Sequence, residues 1–179
     1  SCRLNLNIKQ RCKVPSVRVL KELKEEIFFL TFTVHRWYYL FDRHNLWDIL
    51  TDSLKYCQNN KGIKIYHFVF MLNHMHLIAS SKDMVGFIRD YKTFTAKEIK
   101  KNIGETEPHI LKLFQVGKEY HFWQKTNMPE IIRSEGFYLE KAQYVEQNPV
   151  RKRYVNRAED WVYSSANTES ALLKLESIC

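Results

Sequence analysis

Two short apolar stretches joined by a single polar residue decide the fold. Ile63-Lys-Ile-Tyr-His-Phe-Val-Phe-Met-Leu72 and His74-Met-His-Leu-Ile-Ala79 are rich in β-branched and aromatic residues, and Asn73 stands between them. Each stretch is predicted to form a buried strand, and strands so closely joined must be antiparallel neighbours. A third stretch of the same kind, Ile27-Phe-Phe-Leu-Thr-Phe-Thr-Val34, is predicted to add another strand to the sheet.

Helical periodicity is found between and after these strands. Apolar residues recur at helical spacing over residues 46–60 and 83–103, which predicts two helices. A short strand is predicted over residues 128–133. Another helix is predicted over residues 135–147, ending before Pro149 because the residue that precedes a proline disfavours helical geometry. This order predicts a single α+β domain in which helices pack on a mainly antiparallel central sheet.

The boundaries of that domain follow from the same patterns. The main domain is predicted to span residues 27–166, after an N-terminal leader and short helix over residues 1–26. Leucines at positions 172, 173 and 175 predict a short C-terminal helix within residues 167–179. No internal repeat or linker divides the chain.

The composition narrows the class of protein. The 179-residue chain carries 28 Lys and Arg against 20 Asp and Glu, a formal net charge of +8, which favours a polyanionic partner such as nucleic acid. Aromatic residues reach 14%, and such residues either build cores or stack on unpaired bases. Charge alone does not separate nucleic-acid binding from simple solubility.

Cysteine spacing and hydropathy suggest the compartment. The four cysteines show no Cys-x-x-Cys spacing, which argues against a zinc framework and favours a reducing environment. No apolar run reaches the roughly 18 residues that a membrane span needs. We therefore expect a cytoplasmic, nucleoid-associated protein with no membrane partner.

The most specific local feature is His74-Met75-His76 on a predicted strand. Side chains alternate across a strand, so both histidines should point to one face while Met75 and Leu77 point to the opposite, core-packed face. Two imidazoles on one face can chelate a divalent metal. Paired histidines also occur by chance in edge strands, and spacing alone favours that interpretation over a metal site. His35, His44, His67 and His109 are isolated in the sequence, and no role is predicted for them.

A second feature is the pair Tyr144 and Asn148 on the last long predicted helix. Positions i and i+4 share one helical face, so a phenol and a carboxamide could point together at a metal bound by the histidines. Spacing alone favours a core tyrosine beside a helix-ending asparagine before Pro149.

Four segments in a fixed order resemble the REP-associated tyrosine transposases, which belong to the single-tyrosine HUH transposases of the smallest insertion sequences. The segments are Asn73-His-Met-His-Leu77, Phe122-Trp-Gln124, Tyr144-Val-Glu-Gln-Asn-Pro-Val150, and Glu159-Asp-Trp161 with Ser164-Ser165. The resemblance covers roughly residues 27 to 166. Soon after Asn-Pro-Val the family usually has a small residue and Gly, where this chain has Lys152 and Arg153.

The resemblance implies a ferredoxin- or RRM-like HUH fold and an enzyme of DNA transposition and recombination. His74 and His76 would ligate Mg²⁺ or Mn²⁺, and Asn148 stands where the family supplies a further polar ligand. Tyr144 would be the nucleophile of a metal-dependent endonuclease that cleaves and rejoins single-stranded or hairpin DNA, such as a REP element, through a 5′-phosphotyrosine. Relatives of this kind act either as homodimers that exchange tyrosine helices or as monomers.

Further residues are candidates for contacts with DNA. The basic residues of the long helix could follow a phosphate backbone or simply be solvated, and two aromatic residues could stack on bases or close the core. These candidates are Arg89, Lys92, Lys97, Lys100, Tyr120 and Phe122. Two alternatives to the enzyme stay open: an RRM-like nucleic-acid-binding module, and a domesticated transposase that binds hairpins without transferring strands.

Overall fold

The computed structural model describes residues 25–125 and 129–178. Within these residues the strands are β1 (Ile27–Thr33), β2 (Lys64–Phe70), β3 (His74–Ser80), β4 (Gln115–Val116), β5 (Glu119–Tyr120) and β6 (Glu130–Ile131). The α-helices are α1 (Leu46–Lys61), α2 (Met84–Thr106), α3 (Leu111–Phe114) and α4 (Glu135–Arg151). None of the helices in these two ranges is long and apolar enough to cross a membrane.

The central sheet has the strand order β2-β3-β1-β6, and each neighbouring pair is antiparallel. The strands β4 and β5 form a separate hairpin. The tight turn around Asn73 joins β2 to β3, as the sequence predicts, and β3 lies in the middle of the sheet with Thr31 of β1 opposite His76. The predicted α+β domain with a mainly antiparallel sheet is confirmed.

The sheet separates two apolar cores. The larger core packs α1 and α2 against one face, where Phe32, Met75 and Leu77 meet Phe87 and Tyr91. The smaller core lies on the other face. There α4 contributes Ala142 and Val145, which pack with the strand residues Phe29, Val69 and Ile78. Because side chains alternate along β3, His74 and His76 lie on the α4 side of the sheet.

Helix α4 runs further than the sequence predicts. It begins after Ser134, whose hydroxyl accepts a hydrogen bond from the Phe137 N–H, and it continues through Pro149 to Arg151 instead of ending at Gln147. A proline at this position removes its own N–H donor and crowds the carbonyl four residues earlier, yet Pro149 is buried in the fold and the helix continues past it. The Lys152 N–H closes the turn on the Asn148 carbonyl, at 3.0 Å. Asn148 therefore stays on the helical face that carries Tyr144.

The C-terminal segment is not the short helix that the leucine spacing predicts. Residues 167–178 form turns and extended chain, and the Glu176 N–H donates to the Ile65 carbonyl at 2.8 Å. Ser164 likewise bridges to Val69. The segment satisfies hydrogen-bonding groups on the outer edge of β2, which a helix could not do. The predicted leader and helix at residues 1–26 lie outside the described residues, except for the non-helical residues 25 and 26.

Candidate active site

His74 and His76 form a buried pair on β3. Their ring centroids are 4.9 Å apart, and the two residues are only 6% and 4% exposed. Met75 and Leu77 point into the larger core on the opposite face. The placement of both histidines on one face of a strand, expected from the alternation of side chains, is confirmed.

Each imidazole is held by a neighbour. The His74 Nδ1 lies 2.7 Å from the Asn73 Oδ1, an acceptor, so Nδ1 carries the proton and Nε2 keeps its lone pair. The His76 Nδ1 bonds to the Thr31 hydroxyl at 2.9 Å, and the His76 ring stacks on Phe29 with 5.3 Å between centroids. These contacts fix both rings in the manner of the outer-shell partners that orient metal-binding histidines.

Burial keeps both imidazoles neutral. It lowers the pKa of His74 to about 4, with a further contribution from the positive charge of Lys152 and a small opposing effect from the Asn148 amide. Burial, followed by the neighbouring His74 and by Lys141, lowers the pKa of His76 to about 3. Both groups are uncharged at neutral pH. The neutral imidazole is the form that binds metal ions.

Asn148 brings a third polar group to the pair. It is 4% exposed, and its Oδ1 is buried with no hydrogen-bond partner among the described residues. The His76 Nε2 is in the same condition. A buried acceptor without a partner costs free energy, and a divalent cation that prefers nitrogen and oxygen ligands would satisfy both atoms. The residues present therefore fit a metal ion.

The donor set would be unusual in one respect. No cluster of three or more His, Cys, Asp or Glu side chains that could hold a metal occurs within residues 25–125 and 129–178. The set would consist of two imidazoles and a carboxamide, and further ligands would have to come from water or from a substrate phosphate. Such a set has less charge than an all-protein site for Mg²⁺ or Ca²⁺.

Tyr144 lies against the histidine pair. Its ring meets the His76 ring edge-on, with 5.2 Å between centroids and an interplanar angle of 71°. The Arg151 guanidinium sits over the Tyr144 ring, 5.0 Å from its centroid. Tyr144 is half-buried, so one part of the side chain packs on the sheet and another part is open to solvent.

Tyr138, on the same helix, occupies a different environment. It is 5% exposed, and its hydroxyl bonds to the His67 Nε2 at 3.0 Å. The other nitrogen of His67 bonds to the Glu146 carboxylate at 2.8 Å. The isolated His67 of the sequence thus joins β2 to α4 through two contacts, a role that its neighbours in the chain do not indicate.

Three basic residues of the site were not among the sequence-based candidates. Lys141 and Lys152 lie close enough to lower the pKa values of His76 and His74, and Arg151 covers the Tyr144 ring. Lys141 stands at position i−3 from Tyr144, inside the predicted helix. Arg151 and Lys152 stand at i+7 and i+8, so only an extension of the helical periodicity beyond Pro149 would have found them.

The predicted DNA-binding residues do not gather at this site. Helix α2 packs on the opposite face of the sheet. There Arg89 pairs with Asp90, Lys97 is exposed, and Lys100 lies 4.4 Å from the Tyr120 ring centroid. The half-buried Lys92 donates to the Gln124 carbonyl at 2.6 Å. They remain candidates for a more distant DNA contact.

The predicted stacking role of Phe122 is wrong. Phe122 is 1% exposed and stacks on Phe114 inside the larger core, with 4.8 Å between centroids. A base could not reach its ring without opening that core. The aromatic ring that made Phe122 a candidate for base stacking packs in the core instead.

A solved structure shares this fold. A REP-associated tyrosine transposase, solved in complex with a REP hairpin, superposes with a TM-score of 0.58 and 19% sequence identity, over 88% of this chain and 89% of the other. The chain has the fold of a REP-associated tyrosine transposase. At this identity the match concerns the fold and not the individual side chains of the site.

A second solved structure is less similar. It is a protein of Deinococcus radiodurans R1 that is provisionally named a transposase, with a TM-score of 0.47 and 17% identity over 70% of this chain and 92% of that one. No protein-family model and no curated protein sequence matches the chain.

Proposed function

We propose that this protein is a metal-dependent single-strand DNA endonuclease and transposase that cleaves and rejoins DNA near hairpins, with Tyr144 as nucleophile. The observation that carries the proposal is the contact between the half-buried Tyr144 and the buried, neutral pair His74 and His76. The fold shared with a hairpin-bound transposase supports it.

The reaction follows from the chemistry of the phenol. The Tyr144 oxygen attacks the scissile phosphorus and loses its proton, a new bond joins phosphorus to tyrosine, and the bond from phosphorus to the 3′ oxygen breaks. The 3′ oxygen gains a proton and leaves as a hydroxyl. The phosphodiester energy is kept in the 5′-phosphotyrosine, so the reverse attack by a 3′-hydroxyl rejoins the strand without ATP.

His74, His76 and Asn148 would hold Mg²⁺ or Mn²⁺. Such an ion, when bound, supplies charge stabilisation for the phosphate oxygens and orients the phosphate. Nitrogen ligands favour Mn²⁺ over Mg²⁺. The protein contributes the rigid frame: Asn73 and Thr31 hold the rings, and the positive charges of Arg151 and Lys152 favour the approach of a phosphate chain.

The alternative of an RRM-like binding module finds less support. That mode of recognition needs an open sheet face whose aromatic residues stack on bases. Here α4 covers the face that carries Phe29 and His76, while α1 and α2 cover the other. A domesticated transposase that binds without cleaving would keep this architecture, and only an assay of cleavage separates it from an active enzyme.

The placement of Tyr144 also bears on the oligomeric state. Tyr144 reaches the histidines of its own chain, which supports cleavage in cis by a monomer. A homodimer that exchanges α4 would form the same site from two chains. Mixing a Tyr144→Phe chain with a His76→Ala chain separates the two arrangements, because activity returns in the mixture only when the tyrosine acts in trans.

The direct test uses DNA hairpins with single-stranded flanks, incubated with Mn²⁺ and analysed on denaturing gels. The proposal predicts a covalent protein–DNA adduct with the hairpin, none with a matched plain duplex, and none when EDTA removes the metal. No adduct with any of a set of hairpins and flanks, from protein that binds them, would favour the domesticated alternative instead.

A further inference from the structure

Trp37 is an exposed aromatic residue beside the histidine pair. It is 56% exposed, and its ring centroid lies 5.9 Å from that of His74. The other tryptophans of the chain are buried or half-buried. Large aromatic side chains are usually mostly buried, so an exposed indole beside a candidate active site is open to contact with a substrate.

The backbone that carries this ring is in a strained conformation. Arg36 and Trp37 both adopt left-handed conformations, with φ of 54° and 60°. Neither is a glycine, and residues with a side chain avoid this region because the Cβ atom crowds the backbone. Strained pairs of this kind persist where the surrounding structure holds them and tend to occur at binding sites.

One side chain holds the strained loop and the candidate metal site together. The Asn73 Nδ2 donates to the Trp37 carbonyl at 3.0 Å, and the Asn73 Oδ1 accepts from the His74 Nδ1 at 2.7 Å. A single carboxamide therefore ties the Trp37 backbone to the His74 imidazole. The loop that carries the indole is thereby linked to the candidate metal site, and the indole itself contacts the His74 ring.

The surroundings of Trp37 are suited to a polyanion. Arg36 is exposed next to it, and with Lys125 and the neutral His35 it lines a pocket of about 400 Å³, so two of the lining side chains are positively charged. A nucleotide offers a flat base for the indole and a phosphate for this basic pocket. Base stacking on aromatic side chains tolerates any sequence and is a main source of affinity for single strands.

We propose that Trp37 is a stacking platform for an unpaired nucleobase next to the phosphodiester bound at His74 and His76. The assignment of that neighbouring phosphodiester rests on the proposed function, whereas the binding of a base by Trp37 does not require cleavage. The ring would act as a positioning residue: it would fix the single strand and so bring one phosphate into reach of Tyr144.

The test compares three variants in a Tyr144→Phe background, in which cleavage does not confuse binding. Trp37→Ala removes the platform, Trp37→Phe keeps an aromatic face, and Tyr56→Ala is the matched control, since Tyr56 is 59% exposed but lies on α1, on the other side of the sheet. The probe is a hairpin whose single-stranded flank carries the fluorescent base 2-aminopurine at each position in turn.

We expect Trp37→Ala to weaken binding of the flanked hairpin about ten-fold, Trp37→Phe to weaken it less, and Tyr56→Ala to leave it unchanged. Quenching of 2-aminopurine at one flank position should be strong in the parent protein and absent in Trp37→Ala. Should Trp37→Ala fail to fold, as judged by circular dichroism, the position-dependent quenching in the parent and in Trp37→Phe carries the test.

Unchanged affinity and quenching in a folded Trp37→Ala variant would overturn the proposal. A change in self-association on sedimentation, with DNA affinity preserved, would overturn it as well and assign the ring to a protein contact. Failure of the enzyme proposal looks different: the wild-type protein would form no covalent adduct while Trp37 still quenched a flanking base.

Discussion

The Tyr144 ring meets the His76 imidazole edge-on within one chain, with 5.2 Å between the ring centroids. This relationship joins residues that are far apart in the sequence, one on β3 and the other on α4. It depends on two features. The alternation of side chains along β3 turns His76 toward α4, and apolar contacts of Ala142 and Val145 pack α4 against the sheet. The proposed role of Tyr144 as nucleophile depends on this contact.

The buried histidines should make the metal-free protein sensitive to acid. Their folded pKa values, about 4 for His74 and about 3 for His76, lie below the 6.5 of an unfolded histidine. As the pH falls through 6.5 the unfolded chain binds protons that the folded chain does not, so stability decreases, by up to about 1.4 kcal/mol per pH unit for each histidine. Urea denaturation in EDTA at stepwise pH measures this.

The control for the acid effect is His76→Asn, which cannot titrate. Its free energy of unfolding should fall less steeply than that of the wild type between pH 6.5 and pH 4, because one of the two buried groups is gone. Parallel curves for the two proteins over that range would mean that His76 is not held neutral by burial.

The Thr31 hydroxyl should matter for metal binding although it is not a proposed ligand. It bonds to the His76 Nδ1 at 2.9 Å and so orients the ring. Thr31→Val keeps the shape of the side chain and removes that contact, and loss of such an outer-shell partner lowers metal affinity about 10- to 100-fold. Titration calorimetry with Mn²⁺ measures the change. Thr93→Val removes an exposed hydroxyl from α2, on the other side of the sheet, and should leave the affinity for Mn²⁺ unchanged.

The hydrogen bond between Glu146 and His67 should stabilise the packing of α4 against the sheet. Glu146→Ala leaves the buried His67 Nδ1 without its partner at 2.8 Å, which we expect to cost about 1–3 kcal/mol. For a chain of this size each kcal/mol lowers Tm by about 2–4 °C. Glu140→Ala, at an exposed position of the same helix, is the control for removing one carboxylate. Equal Tm values for the two variants would show that the His67 contact does not hold the helix.

The fold was largely predictable from the sequence because the signals are local. The pattern of residues 27–34 and 63–79 predicts the three long strands, and the single residue Asn73 between two of them dictates antiparallel pairing. Where local rules compete with packing they fail. Pro149 predicts the end of a helix that burial carries on to Arg151, and leucines 172 and 173 predict a helix where the chain instead follows the edge of β2.

The site was predictable only in part. Alternation along one strand places His74 and His76 together, and helical spacing places Asn148 beside Tyr144. The partners that hold these groups come from elsewhere in the chain. Thr31 reaches His76 through strand pairing, and His67 reaches Glu146 across the sheet-helix interface. Contacts of that kind depend on register and packing, which no spacing in the sequence reveals.

The most direct measurement of the central claim compares Tyr144→Phe with Tyr138→Phe in the covalent adduct assay. Tyr144→Phe removes one oxygen and keeps the ring that packs on His76 and Phe29, so fold and hairpin affinity should persist while the adduct disappears. Tyr138→Phe loses the hydrogen bond to His67, at a cost of about 1–3 kcal/mol in stability, and should still form the adduct. An adduct that persists in Tyr144→Phe and vanishes in a folded Tyr138→Phe variant would contradict the assignment of the nucleophile.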